Sequence, residues 1–350
     1  MSLISSPLSL IWRGWRNIKI VLSIVSLFIF ISPLVLQAYD YPVTVTDFRG
    51  KTITFTKPVG RIVCLIESAL SGLYMLNQAE KIVGISKNVY QSDVYKYYAQ
   101  LDNRIKNRTL PAPGNWDFVS IESVVNLKPD LVIIWASQTE AIKALEQRGI
   151  TVYGVFILSI QDVYKEIMDF GKITGSVKRS KELIDFVKDE LSALQKRVKA
   201  ISAENRKKVY FMWAQGLLNT SCKGSTVEDL ITIAGGINSC TEIVSEHAVV
   251  SLEKLIRWNP DIIVMWVNER KNPEDIKNEP QLKRIKAIKS NQVYELPEIF
   301  LCDLWTLKFY YAAKLLAKWT YPEIFRDVDL EKEKLKMLKK FYGIDLKIDR

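Results

Sequence analysis

The 350-residue sequence predicts an α/β fold: two Rossmann-like lobes, each with a central, mainly parallel sheet, joined by one long helix. Three observations predict it. A twenty-residue unit occurs twice, far apart in the chain. A helical apolar stripe fills a segment between the two copies. The composition, 48% hydrophobic and 25% charged, is that of an ordinary folded protein, and the chain is too long for one small core.

Residues 1–38 read as an export signal or an N-terminal anchor. Arg13, Arg16 and Lys19 form a positive region, and an apolar run from Ile20 to Leu36 ends at Gln37-Ala38, a small residue suited to cleavage. The run approaches the length of a membrane span, so a retained anchor is the alternative to a cleaved signal. The first cysteine is Cys64, which argues against a lipid-anchored cysteine at a mature N-terminus.

Residues 39–175 are assigned to the first lobe. Val43–Asp47 and Thr52–Phe55 predict a β-hairpin turned at Arg49-Gly50. Arg61–Ile66 and Lys81–Ile85 predict strands, as does Thr151–Phe156 after a helix ending at Gly149. Within this lobe lies the first copy of the repeat, WDFVSIESVVNLKPDLVIIW (Trp116–Trp135). The second copy, HAVVSLEKLIRWNPDIIVMW (His247–Trp266), aligns with it without gaps. Ser120 and Ser251 are suited to cap a helix, and Glu122 and Glu253 fall in its first turn, where the helix dipole favours acids. Pro129 and Pro260 end the helices. Leu131–Ile134 and Ile262–Met265 are continuous apolar runs that suit parallel strands buried on both faces. Each unit is therefore helix, turn and buried strand, and two copies argue for two lobes of one design.

Residues 176–203 are assigned to the connection. Leu183, Val187, Leu191, Leu194, Val198 and Ile201 recur every three or four positions, which predicts one amphipathic helix of about 25 residues, roughly 38 Å long. A helix holds two lobes at a fixed distance, where a Gly/Ser linker would let them drift. Residues 204–350 are assigned to the second lobe with a C-terminal helical extension. Val209–Trp213 predicts its first strand, and Thr226–Ala234 a helix closed by Gly235-Gly236. Cys222 and Cys240 flank that helix; they either pair or remain buried thiols, because spacing alone does not determine the Cα separation.

Charge excludes some classes. The net charge is +10, and loss of residues 1–38 removes three basic residues and no acid, leaving +7. The lysines are scattered (Lys181, Lys188, Lys196, Lys199), with no basic cluster interleaved with aromatics, so a nucleic-acid partner is not predicted. No CxxC pair, P-loop or GxSxG elbow occurs. With one histidine and no paired-carboxylate motif, an enzyme is not predicted; an activity based on His247 is the distant alternative.

These segments carry a family resemblance. VTDFRGKTITF, RIVCL, IESVVNLKPDLVI, GKITG, STVEDLITIAGG, VSLEKLIRWNPDIIV and AAKLLAKWTYPEIF, in this order from Val43 to the C-terminus, resemble the substrate-binding proteins of ABC importers for iron–siderophores, heme and cobalamin. The resemblance implies two lobes facing across a shallow cleft, small closure on binding, and no catalysis or cofactor. It implies a monomer on the periplasmic or extracellular face that delivers its ligand to a permease dimer with ATPase subunits. In that class one Glu on each lobe meets Arg pockets of the permease, which gives Glu122 and Glu253 a docking role beside their helix-capping one.

Ligands of open α/β sheets sit beyond the carboxyl ends of the strands. The candidates there are Lys87, Asn115 and Trp116 in the first lobe and Trp213, Ser221, Lys223, His247, Asp303 and Trp305 in the second. The resemblance places Trp116 and His247 in the cleft. Indole and imidazole rings suit a flat or bulky metal chelate, the leading expectation. Trp135 and Trp266 are either cleft or core aromatics; Trp258 and Trp319 read as core. His247 lacks companions at metal-ligand spacing, so a bare-metal site is not predicted. The alternative ligand is molybdate or tungstate, since PEIFRDVDLEKEKLKMLKKFYG is similar to binders of these oxyanions within the class. Ser221, Lys223, Gly224 and Ser225, with Ser86-Lys87, would supply its donors.

Overall fold

The computed structural model describes residues 41–267 and 270–347; the expected signal or anchor at 1–38 lies outside them. Strands β1 (Val43–Thr46) and β2 (Thr52–Phe55) form the predicted hairpin, with Gly50 at φ +80° in the turn. The first lobe continues through β3 (Ile62–Cys64), helix α1 (Glu67–Met75), β4 (Ile82–Ile85), α2 (Tyr95–Leu101), α3 (Asn103–Lys106), α4 (Ile121–Asn126), β5 (Leu131–Trp135), α5 (Thr139–Glu146), β6 (Val152–Val155) and α6 (Ile160–Thr174). Its sheet is parallel, in the order β4-β3-β5-β6.

Helix α7 (Val177–Val198) follows, 22 residues and so about 33 Å long, three residues shorter than the apolar stripe suggests. It crosses α6 closely at Gly171, where a Cβ would lie 1.9 Å from Ser180 Oγ. That contact explains the first glycine of GKITG; the second, Gly175, ends α6 at φ +81°.

The second lobe repeats the first. It runs β7 (Lys208–Met212), β8 (Asn219–Thr220), α8 (Thr226–Ile233), β9 (Ile237–Asn238), β10 (Ala248–Val249), α9 (Leu252–Trp258), β11 (Ile262–Met265), α10 (Pro273–Lys277), α11 (Lys286–Lys289) and β12 (Val293–Glu295). Its parallel sheet is ordered β9-β7-β11-β12. Strand for strand this is the order of the first lobe, and β5 and β11, the repeat strands, take the same place. Ser120 and Ser251 cap α4 and α9 as expected, each accepting from the backbone N–H three residues on. Cys222 and Cys240 form a disulfide with Cα atoms 4.7 Å apart, which settles the alternative that spacing left open.

Alternation along the strands sorts their side chains between two layers. Val63, Val132 and Ile134 build a local core on one face of the first sheet, and Tyr210, Met212, Ile263 and Met265 do so in the second. Cys64, Ile133, Phe211 and Val264 point the other way, into a large core that also takes in Leu183, Val187 and Leu191 of α7.

The extension after the second sheet consists of α12 (Ile299–Cys302), α13 (Phe309–Thr320) and α14 (Leu330–Tyr342). In α12, Phe300, Leu301 and Cys302 are buried, and the chain turns at Asp303 to reach Trp305. Helix α14 returns to the first lobe and packs on α1. Tyr342 OH lies 2.6 Å from Ser71 Oγ, and buried Lys308 donates to Ser71 Oγ at 3.0 Å. The lobes are thus bridged by α7 and again by α14.

Candidate functional site

Strand register builds the centre of the site. β7 and β11 are parallel neighbours with Met212 opposite Met265. The next residue of each is a tryptophan, and Trp266 N donates to Met212 O at 2.8 Å. The indoles of Trp213 and Trp266 therefore meet side by side, centroids 5.2 Å apart. They lie at the carboxyl ends of the two strands from which the sheet order departs in opposite directions, where doubly wound sheets bind ligands.

Trp305 closes the group. Its ring is parallel to that of Trp213 within 6°, centroids 5.8 Å apart, and is 5.8 Å from Trp266. Asp303 is buried and its Oδ1 accepts from Trp305 N at 3.0 Å, so it sets the turn that presents Trp305. The imidazole of His247 lies 5.0 Å from Trp213. Trp213 and Trp266 are buried, Trp305 is half-buried and His247 is exposed, so the group grades from core to surface.

Hydrogen bonds lock it. Trp213 Nε1 donates to Ser221 Oγ at 2.8 Å, and Ser221 Oγ donates to the carbonyl of Glu246. The Glu246 carboxylate accepts from Thr226 N and Thr226 Oγ1, each at 3.3 Å, at the N-terminus of α8. Burial pushes the Glu246 carboxyl up to about 7. Partial burial of its ring against Trp213, although the residue as a whole is exposed, holds His247 below its usual range and so favours the neutral imidazole at pH 7.

Two openings adjoin the aromatic group. A small one of about 180 Å³ is lined by Trp213, Gln215, Asn219 and His247. A larger one of about 600 Å³ lies between the lobes, with Tyr97 on one side and Gln215, Trp266, Arg270 and Phe300 on the other. Tyr97 stacks on Phe300 with centroids 4.3 Å apart and donates to Glu298 Oε2 at 2.5 Å; Lys96 pairs with Glu298 at 3.2 Å.

The structure thus brings together Trp213, Trp305 and His247, with Trp266 added and Asp303 behind them. It gives the other candidates different surroundings. Ser221 is buried and engaged at both ends. Asn115 Nδ2 donates to Asn88 Oδ1, and Asn115 Oδ1 accepts from the backbone of Asp117 and Phe118, so its polar atoms shape a turn. Lys87 and Lys223 are exposed. Trp116 is 59% exposed and makes none of the ring contacts of the group. Glu122 and Glu253 are exposed in the first turns of α4 and α9. Tyr97, Arg270 and Glu246 belong to no motif or periodic pattern of the sequence; only the fold brings them to the site. Among the described residues, no set of three His, Cys, Asp or Glu side chains is placed to hold a metal ion, and no helix is long and apolar enough to cross a membrane.

Comparison with known proteins gives one consistent answer. The profile of the family described as periplasmic binding protein matches residues 62–299. The ABC transporter substrate-binding lipoprotein YvrC of Bacillus subtilis is 26% identical over 82% of this chain and 88% of its own length. The molybdate-binding protein MolA of Haemophilus influenzae is 27% identical over 87% of this chain and 92% of its own. Among solved structures, a periplasmic solute-binding protein of Veillonella parvula superimposes with a TM-score of 0.72, 26% identity, and coverage of 88% of this chain and 94% of that one. Molybdate-bound MolA gives 0.75 at 24% identity, covering 88% and 100%.

Proposed function

Because the chain belongs to the periplasmic binding protein family, whose members serve ABC importers, we propose that its cargo is an organic metal chelate: a ferric siderophore, heme or a corrinoid. The observation that carries this reading is the group of Trp213, Trp266, Trp305 and His247 at the mouth of the second sheet. Such a surface offers π-faces to a flat or bulky ligand and few charges to a small ion. Neutral His247 also keeps a lone pair for the metal of an incoming chelate. Cobalamin-binding and heme-uptake proteins are among the relatives.

Molybdate is the second reading, favoured by the near full-length match to MolA. The hydroxyls it would need are engaged elsewhere. Ser221 joins Trp213 to Glu246, Ser225 caps α8 and donates to Cys222 O, and Ser86 donates to Glu67 Oε1. Of the expected donors this leaves Gly224 and the exposed lysines Lys87 and Lys223.

In this reading the protein works outside the cytoplasm as a monomer, meets a permease dimer through Glu122 and Glu253, and performs no chemistry. Among the described residues, the His247 ring has no hydroxyl or thiol hydrogen-bond partner, so no Ser–His or Cys–His pair supports the enzyme alternative. The test is quenching of tryptophan emission, read alongside thermal shifts, with heme, cobalamin, a panel of ferric siderophores and molybdate. Saturable quenching and stabilisation by one chelate supports the proposal. Stabilisation by molybdate with no response to any chelate overturns it in favour of the second reading.

A further inference from the structure

The repeat that pairs Glu122 with Glu253 also pairs Phe118 with Val249. Phe118 is 69% exposed and Val249 is 78% exposed. A single exposed apolar side chain needs no explanation. Among the described residues, however, this is the one pair of large exposed apolar side chains at the same position of both repeat copies. Val244, exposed to 77%, corresponds to buried Pro113, and exposed Ile256 corresponds to half-buried Val125.

The backbone that carries each side chain is held in place. Phe118 N donates to Asn115 Oδ1 at 3.1 Å, and Asn115 N donates back to Phe118 O at 2.8 Å. Gly114 permits this turn, since a Cβ there would lie 2.5 Å from Phe118 O. Val249 is held in β10, opposite Asn219 of β8. Two unrelated local devices, an Asn-closed turn and a strand pair, present the same kind of side chain. Each stands two residues before the capping serine of the helix whose first turn carries the paired acid. The two lobes therefore display like patterns, apolar residue then acid, suited to a partner with two like subunits.

We propose that Phe118 and Val249 are matched apolar contacts that seat against the two permease subunits beside Glu122 and Glu253. The inference rests on the reading of this chain as an importer's binding protein. Apolar side chains on an already ordered backbone spare the cost of ordering that backbone on association and are effective contacts when an interface dries around them. The acids guide the approach and weaken as salt rises. The apolar pair supplies a part of the affinity that salt leaves intact.

The test places a photo-crosslinking amino acid at 118, 249, 122 and 253, and at exposed Leu335 on α14 as a control, in the full-length chain in its native membranes. The expected result is crosslinks from 118 and 249 to the membrane-spanning subunit of an ABC importer, and none from 335. Crosslinks to that subunit from 122 and 253 but not from 118 or 249 overturn the inference and leave the importer reading standing. Crosslinks from none of the four overturn both. With the subunit identified, the Phe118→Ser/Val249→Ser double variant is titrated against the purified importer. It is expected to need at least tenfold more protein for half-maximal stimulation of ATP hydrolysis, at low and high salt alike, measured with cargo-saturated protein because Val249 also lines the small opening beside Trp213. A loss that disappears at high salt, or no loss, overturns the inference.

Discussion

Trp213 and Trp305 lie parallel, their planes within 6° and their centroids 5.8 Å apart, although 92 residues separate them in the chain. One is placed by strand register and the other by a carboxylate-closed turn. Glu246 holds the first through Ser221, which accepts from Trp213 Nε1 and donates to the Glu246 carbonyl, and Asp303 holds the second by accepting from Trp305 N.

The two rings are expected to respond differently to truncation. Trp305 is half-buried, so Trp305→Ala should lower chelate affinity at least tenfold with a small change in Tm. Trp213 is 3% exposed, and Trp213→Ala should cost about 3–5 kcal/mol of stability as a core deletion. Calorimetric titration and thermal denaturation, run on both variants, check this.

Glu246 should make stability depend on pH. Its folded-state value, about 7, is raised above the usual 4.5. Between these values the unfolded chain ionises while the folded chain keeps its proton. Stability should therefore fall as pH rises from about 4.5 to 7, by up to about 3 kcal/mol, and stay low above it. Glu246→Gln should flatten that part of a Tm–pH profile. An unaltered slope in the variant would assign the dependence to other groups.

Reduction should destabilise the second lobe. The Cys222–Cys240 bond closes a loop with a sequence separation of 18 residues, worth about 3 kcal/mol in chain entropy. The Cys222→Ser/Cys240→Ser variant should show a lower urea midpoint, and adding reductant to it should cause no further fall.

The crossing of α6 and α7 should tolerate no added atom. Gly171→Ala would drive a Cβ to 1.9 Å from Ser180 Oγ. The expected loss is about 1–3 kcal/mol by thermal or urea unfolding, partly recovered in Gly171→Ala/Ser180→Gly.

Docking should separate from binding. Glu122→Ala/Glu253→Ala is expected to leave cargo affinity unchanged, since both residues are exposed in helix first turns away from the Trp213 ring contacts, and to abolish uptake. Normal uptake by this variant would remove the docking role.

Much of the architecture was legible in the residues. Continuous apolar runs mark strands buried on both faces, and Ser120/Glu122 and Ser251/Glu253 mark helix starts through local capping chemistry. The stripe from Leu183 to Val198 marks α7. These signals act within a few residues, so sequence carries them. The return of α14 to α1 was not legible, because its apolar face shows that it packs but not on what. Lys308, Ser71 and Tyr342 meet across the whole chain.

The site divides in the same way. By itself the sequence determined two lobes, the matched acids and the tryptophans that end the second lobe's strands, since each follows from spacing within one element. Tertiary structure decided which candidates form a surface and which serve as scaffold. Register set Trp213 beside Trp266, while Ser221, Asn115 and Asp303 were drawn into hydrogen bonds that hold neighbours in place. The physical reason is that a buried polar group must find a partner. That partner, Glu246 for Ser221 or Trp305 for Asp303, is settled by how distant segments pack.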